Sequence, residues 1–283
     1  MIDIKEYGEY TTSWCPGCGN HDVLKALKQT LSELDLAPRD VAHVSGIGQA
    51  AKAPHYISLN GFNGLHGRGL PSAQAVKLAN PALTVIAESG DGCNYGEGGN
   101  HFLAAIRRNV DLTLLAHDNQ IYGLTKGQAS PTTMEGHVTK SQPGGVYNSP
   151  FNPVAVAIGM KCSFVARAFS GNVPHLVSVM KQAIRHKGFA LVDIFSPCIS
   201  FNKVNTFGWY KQRCYELPAD YDPTDWHGAM EKAQEFGERI PIGVLYKNPR
   251  PTLDSRYDFL QKGPLCKQPV DHGTLDTIMD GYL

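Results

Sequence analysis

The sequence predicts an α/β fold: a mostly parallel sheet with helices on both faces, followed by an irregular C-terminal extension. Two observations point there. Runs of four to eight residues rich in β-branched side chains alternate with stretches of helical periodicity. Three of those runs end in polar, glycine-rich loops, "SGIGQ", "SGDGC" and "HDNQIYG". In an open parallel sheet such loops gather at the carboxyl edge, where ligands bind.

The elements follow in order. After "WCPGC", the residues Val23, Leu24, Leu27, Leu31 and Leu34 recur at helical spacing, so an amphipathic helix starts just past Cys18. "DVAHVSGIG" (40–48) is a strand running into a glycine loop, and "LPSAQAVKLANP" (70–81) is a helix stopped by Pro81. "LTVIAESGDG" (83–92) is a second strand, "EGGNHFLAAIRRN" (97–109) a helix and "VDLTLLAHDNQ" (110–120) a third strand. Residues 173–188 and 189–198 supply another helix and strand. Beyond residue 198 periodicity fades into aromatics, Pro and Asp before a helix ("DWHGAMEKAQEFGER") and a strand ("IPIGVLYK") return. Residues 1–198 therefore read as the α/β domain, and 199–283 as an extension packing on it or on a partner.

Composition narrows the function. The 283 residues carry 26 basic and 26 acidic side chains, a formal charge of zero that predicts no footprint for nucleic acid or an anionic membrane. The N-terminal "MIDIKEYGEY" lacks the apolar core of a secretory signal, and no apolar run reaches the ~20 residues of a membrane helix. A cytoplasmic protein is expected. Seven cysteines, an odd number in a long chain, argue against a disulfide framework. Cys162, Cys214 and Cys266 read as buried small hydrophobes.

Cys15 and Cys18 are different, because Cys-x-x-Cys serves a redox dithiol, a zinc site or an iron–sulfur site equally well. A thioredoxin-like reading suffers from "KEYGEYTTS", a poor core strand, and a zinc ribbon lacks a second close pair. The Gly-Asp-Gly of residues 90–92 is most simply a tight turn. It is followed, 25 residues on, by Asp118-Asn119 at the next strand end. Asp91 and Asn119 offer the oxygen donors that Mg²⁺ prefers, and Gly92 and Cys93 offer backbone N–H groups beside a helix start for a diphosphate. No G-x-G-x-x-G follows the first strand and no Walker A loop is present.

Gly-Asp-Gly with a downstream Asn resembles the thiamine diphosphate signature. "WCPGCGN", "SGIG", "GLHGRGLPSAQAVKLANP", "HFLAAIRRNVD", "DNQIYGLTKGQASPT" and "SPCISFN" occur in family order over residues 10–250. Together they resemble the β subunit of a 2-oxoacid:ferredoxin oxidoreductase. The resemblance implies the thiamine diphosphate-binding fold, with Asp91, Asn119 and the Ile121 carbonyl on Mg²⁺. It further implies that the cofactor is lined by Ile47, Gly48, Gln49, Ala50, His66, Gly90, Gly92, Cys93, Tyr122, Gly123, Leu124 and Thr125. Lys52, Lys126 and Leu124 fall where the 2-oxo acid would react, although a lysine is more often a solvated surface charge. His21, His43, His55 and His101 read as packing or capping residues, and Arg68 serves either its loop or an anion.

The same resemblance implies a [4Fe–4S] cluster with Cys15, Cys18 and Cys198 as ligands. The fourth family position follows "SGIG", where this chain has Gln49 in place of cysteine. That leaves three arrangements: a non-cysteine ligand (Gln49 or water), a three-iron cluster, or Cys93 turned toward the vacant corner. The implied reaction is oxidative decarboxylation of a 2-oxo acid, 2-oxoglutarate or alternatively pyruvate. Coenzyme A takes the acyl group and ferredoxin the electrons. A non-redox thiamine-dependent decarboxylase is the other reading. The glutamate that activates thiamine comes from an α subunit in this family, so an αβ or (αβ)₂ assembly is expected. Glu88 and Glu97 lie on the diphosphate side and do not replace it.

Overall fold

The computed structural model describes residues 2–269 and 272–282. Its strands are β1 (Val41–Ser45), β2 (Asn60–Asn63), β3 (Thr84–Gly90), β4 (Leu112–Asp118), β5 (Phe164–Phe169), β6 (Phe189–Phe195), β7 (Cys214–Glu216) and β8 (Ile240–Lys247). They form one sheet in the order β2-β1-β3-β4-β6-β5-β8-β7. The first six in that order run parallel, β8 is antiparallel to β5, and β7 is parallel to β8.

Helices cover both faces because successive strand residues point to opposite sides. Val85 and Leu114 pack with Leu70 of α2 (Gly69–Ala79), Phe102 and Ile106 of α3 (Gly99–Arg108) and Val154 of α4 (Pro153–Gly159). Their neighbours Ile86 and Leu115 pack on the other side. There they meet Leu27 and Leu31 of α1 (Gly19–Glu33) and Leu176 and Met180 of α5 (Val173–Arg185). Each such side chain contributes about 1.5–3 kcal/mol by leaving water. All seven residues of β4 are buried, as a parallel strand covered on both faces must be. No helix among the described residues is long and apolar enough to cross a membrane.

Several elements escape the sequence pattern. The edge strand β2 reads Asn-Gly-Phe-Asn and is exposed along its length, so it carries no apolar signal. Between the third and fourth expected strands lie α4, capped by the Asn152 side chain and started by Pro153, and β5. The stretch past residue 198 contains α6 (Phe207–Arg213), β7, α7 (Trp226–Gln234) and β8, and β8 extends the main sheet. The helix expected from residue 97 begins at Gly99. A π-helical turn, Gly92–Glu97, intervenes between Gly-Asp-Gly and α3. Of the three cysteines expected in the core only Cys162 is buried; Cys214 is half-buried on the short edge strand β7, and Cys266 is exposed.

Candidate active site

β1, β3, β4 and β6 are adjacent and parallel, so the loops after Ser45, Gly90, Asp118 and Phe195 leave the sheet along one edge. Most of the residues singled out in those loops, from Ile47 to Cys198, therefore lie along that edge, although they are scattered over about 150 sequence positions.

At the centre, Asp91 is buried at the end of β3 and its Oδ2 accepts hydrogen bonds from Ser130 Oγ (2.5 Å) and Thr132 Oγ1 (2.6 Å). Thr132 Oγ1 also lies 2.7 Å from Asp118 Oδ1 at the end of β4. Burial pushes the Asp91 carboxyl up, with the hydrogen bonds from Ser130 and Thr132 opposing it. Asp118 is pushed well up by burial, then by the charges of Asp193 and Asp91. A cation at this edge would relieve both. Asn119 begins an Asx turn, its Oδ1 accepting from the Ile121 N–H at 3.0 Å, while Asn202 donates to its carbonyl. Gly92 is required by a close approach: a Cβ there would stand 2.1 Å from the Tyr122 ring. That contact seats the β4 loop on the β3 loop. Tyr122 is also neighboured by His66, ring centroids 6.0 Å apart.

A cavity of about 290 Å³ opens beside these loops, lined by Ile47, Gly48, Lys52, His55 and Leu124 among others. Gly48 has φ +123° and nothing within 4 Å of its would-be Cβ, so bare backbone faces the opening. Lys52 Nζ donates to Ser13 Oγ at 3.1 Å. Ala50 is buried at the start of the following 3-10 turn, and the Gly90 backbone pairs with His117 of β4. Thr125 and Lys126 are exposed, and Lys126, in the left-handed region at φ +77°, does not line the cavity. Arg68 Nη1 sits 2.9 Å from His101 Nε2 of α3, tying its loop to that helix.

Cys15, Cys18 and Cys198 line a second cavity together with Trp14, Gln49 and Asn119. Cys18 is the N-cap of α1, and Gly19 abuts the segment after β6. A Cβ on Gly19 would come within 2.7 Å of Ser196 Oγ and 2.9 Å of the Ser196 carbonyl carbon. Glycine at that position lets the helix start reach Cys198. Burial raises the Cys18 thiol to about 11, and the charges of Cys198 and Cys15 add to the rise. Ser200 Oγ donates to Cys15 Sγ at 3.2 Å. Among the described residues no three Cys, His, Asp or Glu side chains are grouped to hold a single metal ion. Cys93 takes no part: its Sγ accepts the Gly67 N–H at 3.2 Å and lies beneath Gly46, away from this cavity.

Residues 42–194 match the thiamine pyrophosphate enzyme C-terminal TPP binding domain, and residues 198–262 match the C-terminal family of the pyruvate ferredoxin oxidoreductase beta subunit. The chain is 42% identical over 289 residues to a 2-oxoacid:ferredoxin oxidoreductase subunit beta of Sulfolobus sp., covering 95% of each. It belongs to the β-subunit family of the 2-oxoacid:ferredoxin oxidoreductases. Subunit beta of 2-oxoacid:ferredoxin oxidoreductase 1 from Aeropyrum pernix is 46% identical over 252 residues, 85% of this chain and 79% of that one. Among solved structures, a 2-oxoglutarate:ferredoxin oxidoreductase from Magnetococcus marinus, with 2-oxoglutarate, coenzyme A and succinyl-CoA bound, superposes with a TM-score of 0.91. Its identity is 34%, with 98% of this chain and 96% of that chain covered. As a β subunit of this family, the protein is one part of an oxidoreductase that includes an α subunit.

Some site residues were given no role from sequence. Ser130 and Thr132 lie within the quoted "DNQIYGLTKGQASPT" stretch, and their contacts with Asp91 reveal what they do. A third cavity, about 220 Å³, lies behind Thr132 and holds the buried pair Arg167 and Asp193 from adjacent strands. Burial raises Asp193 to about 6 despite the Arg167 charge. Charged residues inside apolar strands were the available clue.

Proposed function

We propose that this β subunit binds thiamine diphosphate beside the Lys52 cavity, with Mg²⁺ at the Asp91 and Asn119 loops, and a [4Fe–4S] cluster in the cysteine cavity. Together with its α subunit it carries out the oxidative decarboxylation of 2-oxoglutarate. One observation carries the reading: neighbouring residues face the two cavities. Gly48 lines one and Gln49 the other; Leu124 lines the first and Gly123 the second. The same two loops thus line both cavities, an arrangement suited to passing electrons between them.

Asp91, the Asn119 side chain and the Ile121 carbonyl would hold Mg²⁺, with Ser130 and Thr132 orienting Asp91 as outer-shell partners do. Thiamine diphosphate supplies the nucleophile and electron sink for decarboxylation. The protein's own part is placement. The bare backbone at Gly48 allows close approach, and Lys52 presents a positive charge to a carboxylate substrate from the wall of the cavity. Lys126, outside the cavity, is not part of this proposal. Cys15, Cys18 and Cys198 would hold the cluster, which passes electrons singly to ferredoxin, while coenzyme A receives the acyl group.

The α subunit supplies the activating glutamate, since Glu88 is wholly buried between His43 and His117 and unavailable. The assembly is αβ or (αβ)₂, and the extension past residue 198 packs on the 1–198 domain, as β8 does, or on that partner. The substrate bound in the Magnetococcus marinus structure supports 2-oxoglutarate; the family name matched by residues 198–262 favours pyruvate as the second reading. Ferredoxin reduction by the purified α/β complex, with coenzyme A and each acid in turn, separates them. Faster reduction with 2-oxoglutarate is expected. Faster reduction with pyruvate reverses the substrate assignment.

A further inference from the structure

The cavity that gathers Cys15, Cys18 and Cys198 has a fourth side, and Gln49 occupies it. The Gln49 backbone is already committed: its carbonyl accepts the Trp14 ring N–H at 2.7 Å. Its side chain is not. Gln49 Oε1 is buried without a hydrogen-bond partner. Buried amide oxygens in folded proteins nearly always have partners, because an unmade bond forfeits the hydration it replaced. The side chain is also close to the thiols. A point one bond out from Gly123 lies 3.8 Å from Cys198 Sγ and 4.0 Å from Gln49 Cγ, so the Cys198 thiol and the stem of the Gln49 side chain flank the same glycine.

We propose that the Gln49 amide oxygen is the fourth ligand of the cluster, completing a three-thiolate, one-oxygen set. The inference rests on reading the three cysteines as cluster ligands. Coordination through a neutral carbonyl oxygen releases no proton and changes no oxidation state. The oxygen lone pair simply bonds to the iron that no thiolate reaches. Two properties follow. The cluster carries one negative charge fewer than a four-thiolate cluster, which makes it easier to reduce. Its oxygen-bound iron is held by the hardest and weakest ligand of the four, so oxidation removes that iron first. Gln49 is a positioning ligand on the cluster; it has no contact with the reacting acid.

The test uses the anaerobically purified α/β complex with wild-type, Gln49→Ala and Gln49→Cys β subunits. Electron paramagnetic resonance of the dithionite-reduced cluster is recorded in ordinary water and in water enriched in ¹⁷O. Wild type is expected to show no ¹⁷O broadening, because a protein oxygen holds the iron. Gln49→Ala is expected to broaden as solvent enters the vacated position. Gln49→Cys is expected to stay sharp, to be reduced at lower potential, and to keep four irons under ferricyanide treatment that leaves wild type with three. If Gln49→Ala does not accumulate, the Gln49→Cys comparison still decides. Broadening in wild type, three irons that do not become four on adding Fe²⁺, or a Gln49→Cys cluster indistinguishable from wild type overturns the ligation. Absence of iron and acid-labile sulfide from wild type is a separate result, overturning the cluster reading beneath it.

Discussion

Thr132 Oγ1 stands between two buried carboxylates, 2.6 Å from Asp91 Oδ2 and 2.7 Å from Asp118 Oδ1. One hydroxyl has one proton, so it donates to only one of them at a time. The carboxylates come from adjacent parallel strands, β3 and β4, and burial works against the charge of each. The sheet has brought negative groups together where a divalent cation would be a neutralising partner.

Thr132→Val removes the shared hydroxyl while keeping side-chain volume. Losing such an outer-shell partner costs about 10–100-fold in metal affinity. In the α/β complex the Mg²⁺ concentration for half-maximal ferredoxin reduction should rise by about that factor, with the rate at saturating Mg²⁺ largely restored. An unchanged Mg²⁺ requirement would mean that Asp91 is held by something other than this hydroxyl.

Gly19→Ala tests how α1 docks on the segment after β6. The added methyl meets Ser196 backbone, which cannot swing aside as a flexible side chain would. Overpacking of this kind costs about 1–3 kcal/mol. Thermal unfolding should move to lower temperature, and iron per chain should fall as Cys18 is pushed from Cys198. A variant with wild-type melting and full iron would show that the contact is dispensable.

Much of this was readable in the sequence, and the reasons are specific. β3 and β4 announce themselves because both their faces are buried, leaving mainly apolar strands that run into Gly-Asp-Gly and Asp-Asn. Cys15, Cys18 and Cys198 could be grouped through family resemblance; the geometry of Gly19 against Ser196 supplies the physical cause. What stayed hidden depends on contacts between distant segments. Gly92 looks like a residue for diphosphate approach, yet the space a Cβ would need is filled by Tyr122. Lys52 and Lys126 look equivalent in sequence, and only the backbone paths of their loops put one on the cavity and the other outside. β2 and β7 are short and carry almost no buried apolar side chain, so no periodicity could mark them.

Glu88 makes a pH prediction. Its carboxylate is fully buried, with His43 Nε2 and His117 Nε2 each at 2.7 Å. Burial alone would raise its pKa, but the hydrogen bonds and charge of His117 and His43 outweigh it and hold the group near 2, below the ordinary 4.5. A depressed carboxylate stabilises the fold fully above its unfolded pKa, and that stability is lost as pH falls from 4.5 toward 2. Glu88→Gln removes the carboxylate hydrogen-bonded to both histidines, and a hydrogen bond to a charged group is worth about 1.5–3 kcal/mol. Denaturant unfolding between neutral pH and pH 3 should show this deficit shrinking as acid is added. A deficit that is constant with pH would contradict the ionised assignment.

The central claim is that a thiamine site and an iron–sulfur site share the loops of one sheet edge, so that chemistry at the first delivers electrons to the second. The most direct measurement is electron paramagnetic resonance of the anaerobic α/β complex before and after adding 2-oxoglutarate, in wild type and in Asp91→Ala. The account predicts a reduced-cluster signal on substrate addition in wild type. It predicts none in Asp91→Ala, although that variant retains its iron and still gives the signal with dithionite. Substrate-driven reduction that survives in Asp91→Ala, or wild-type protein without iron, would contradict it.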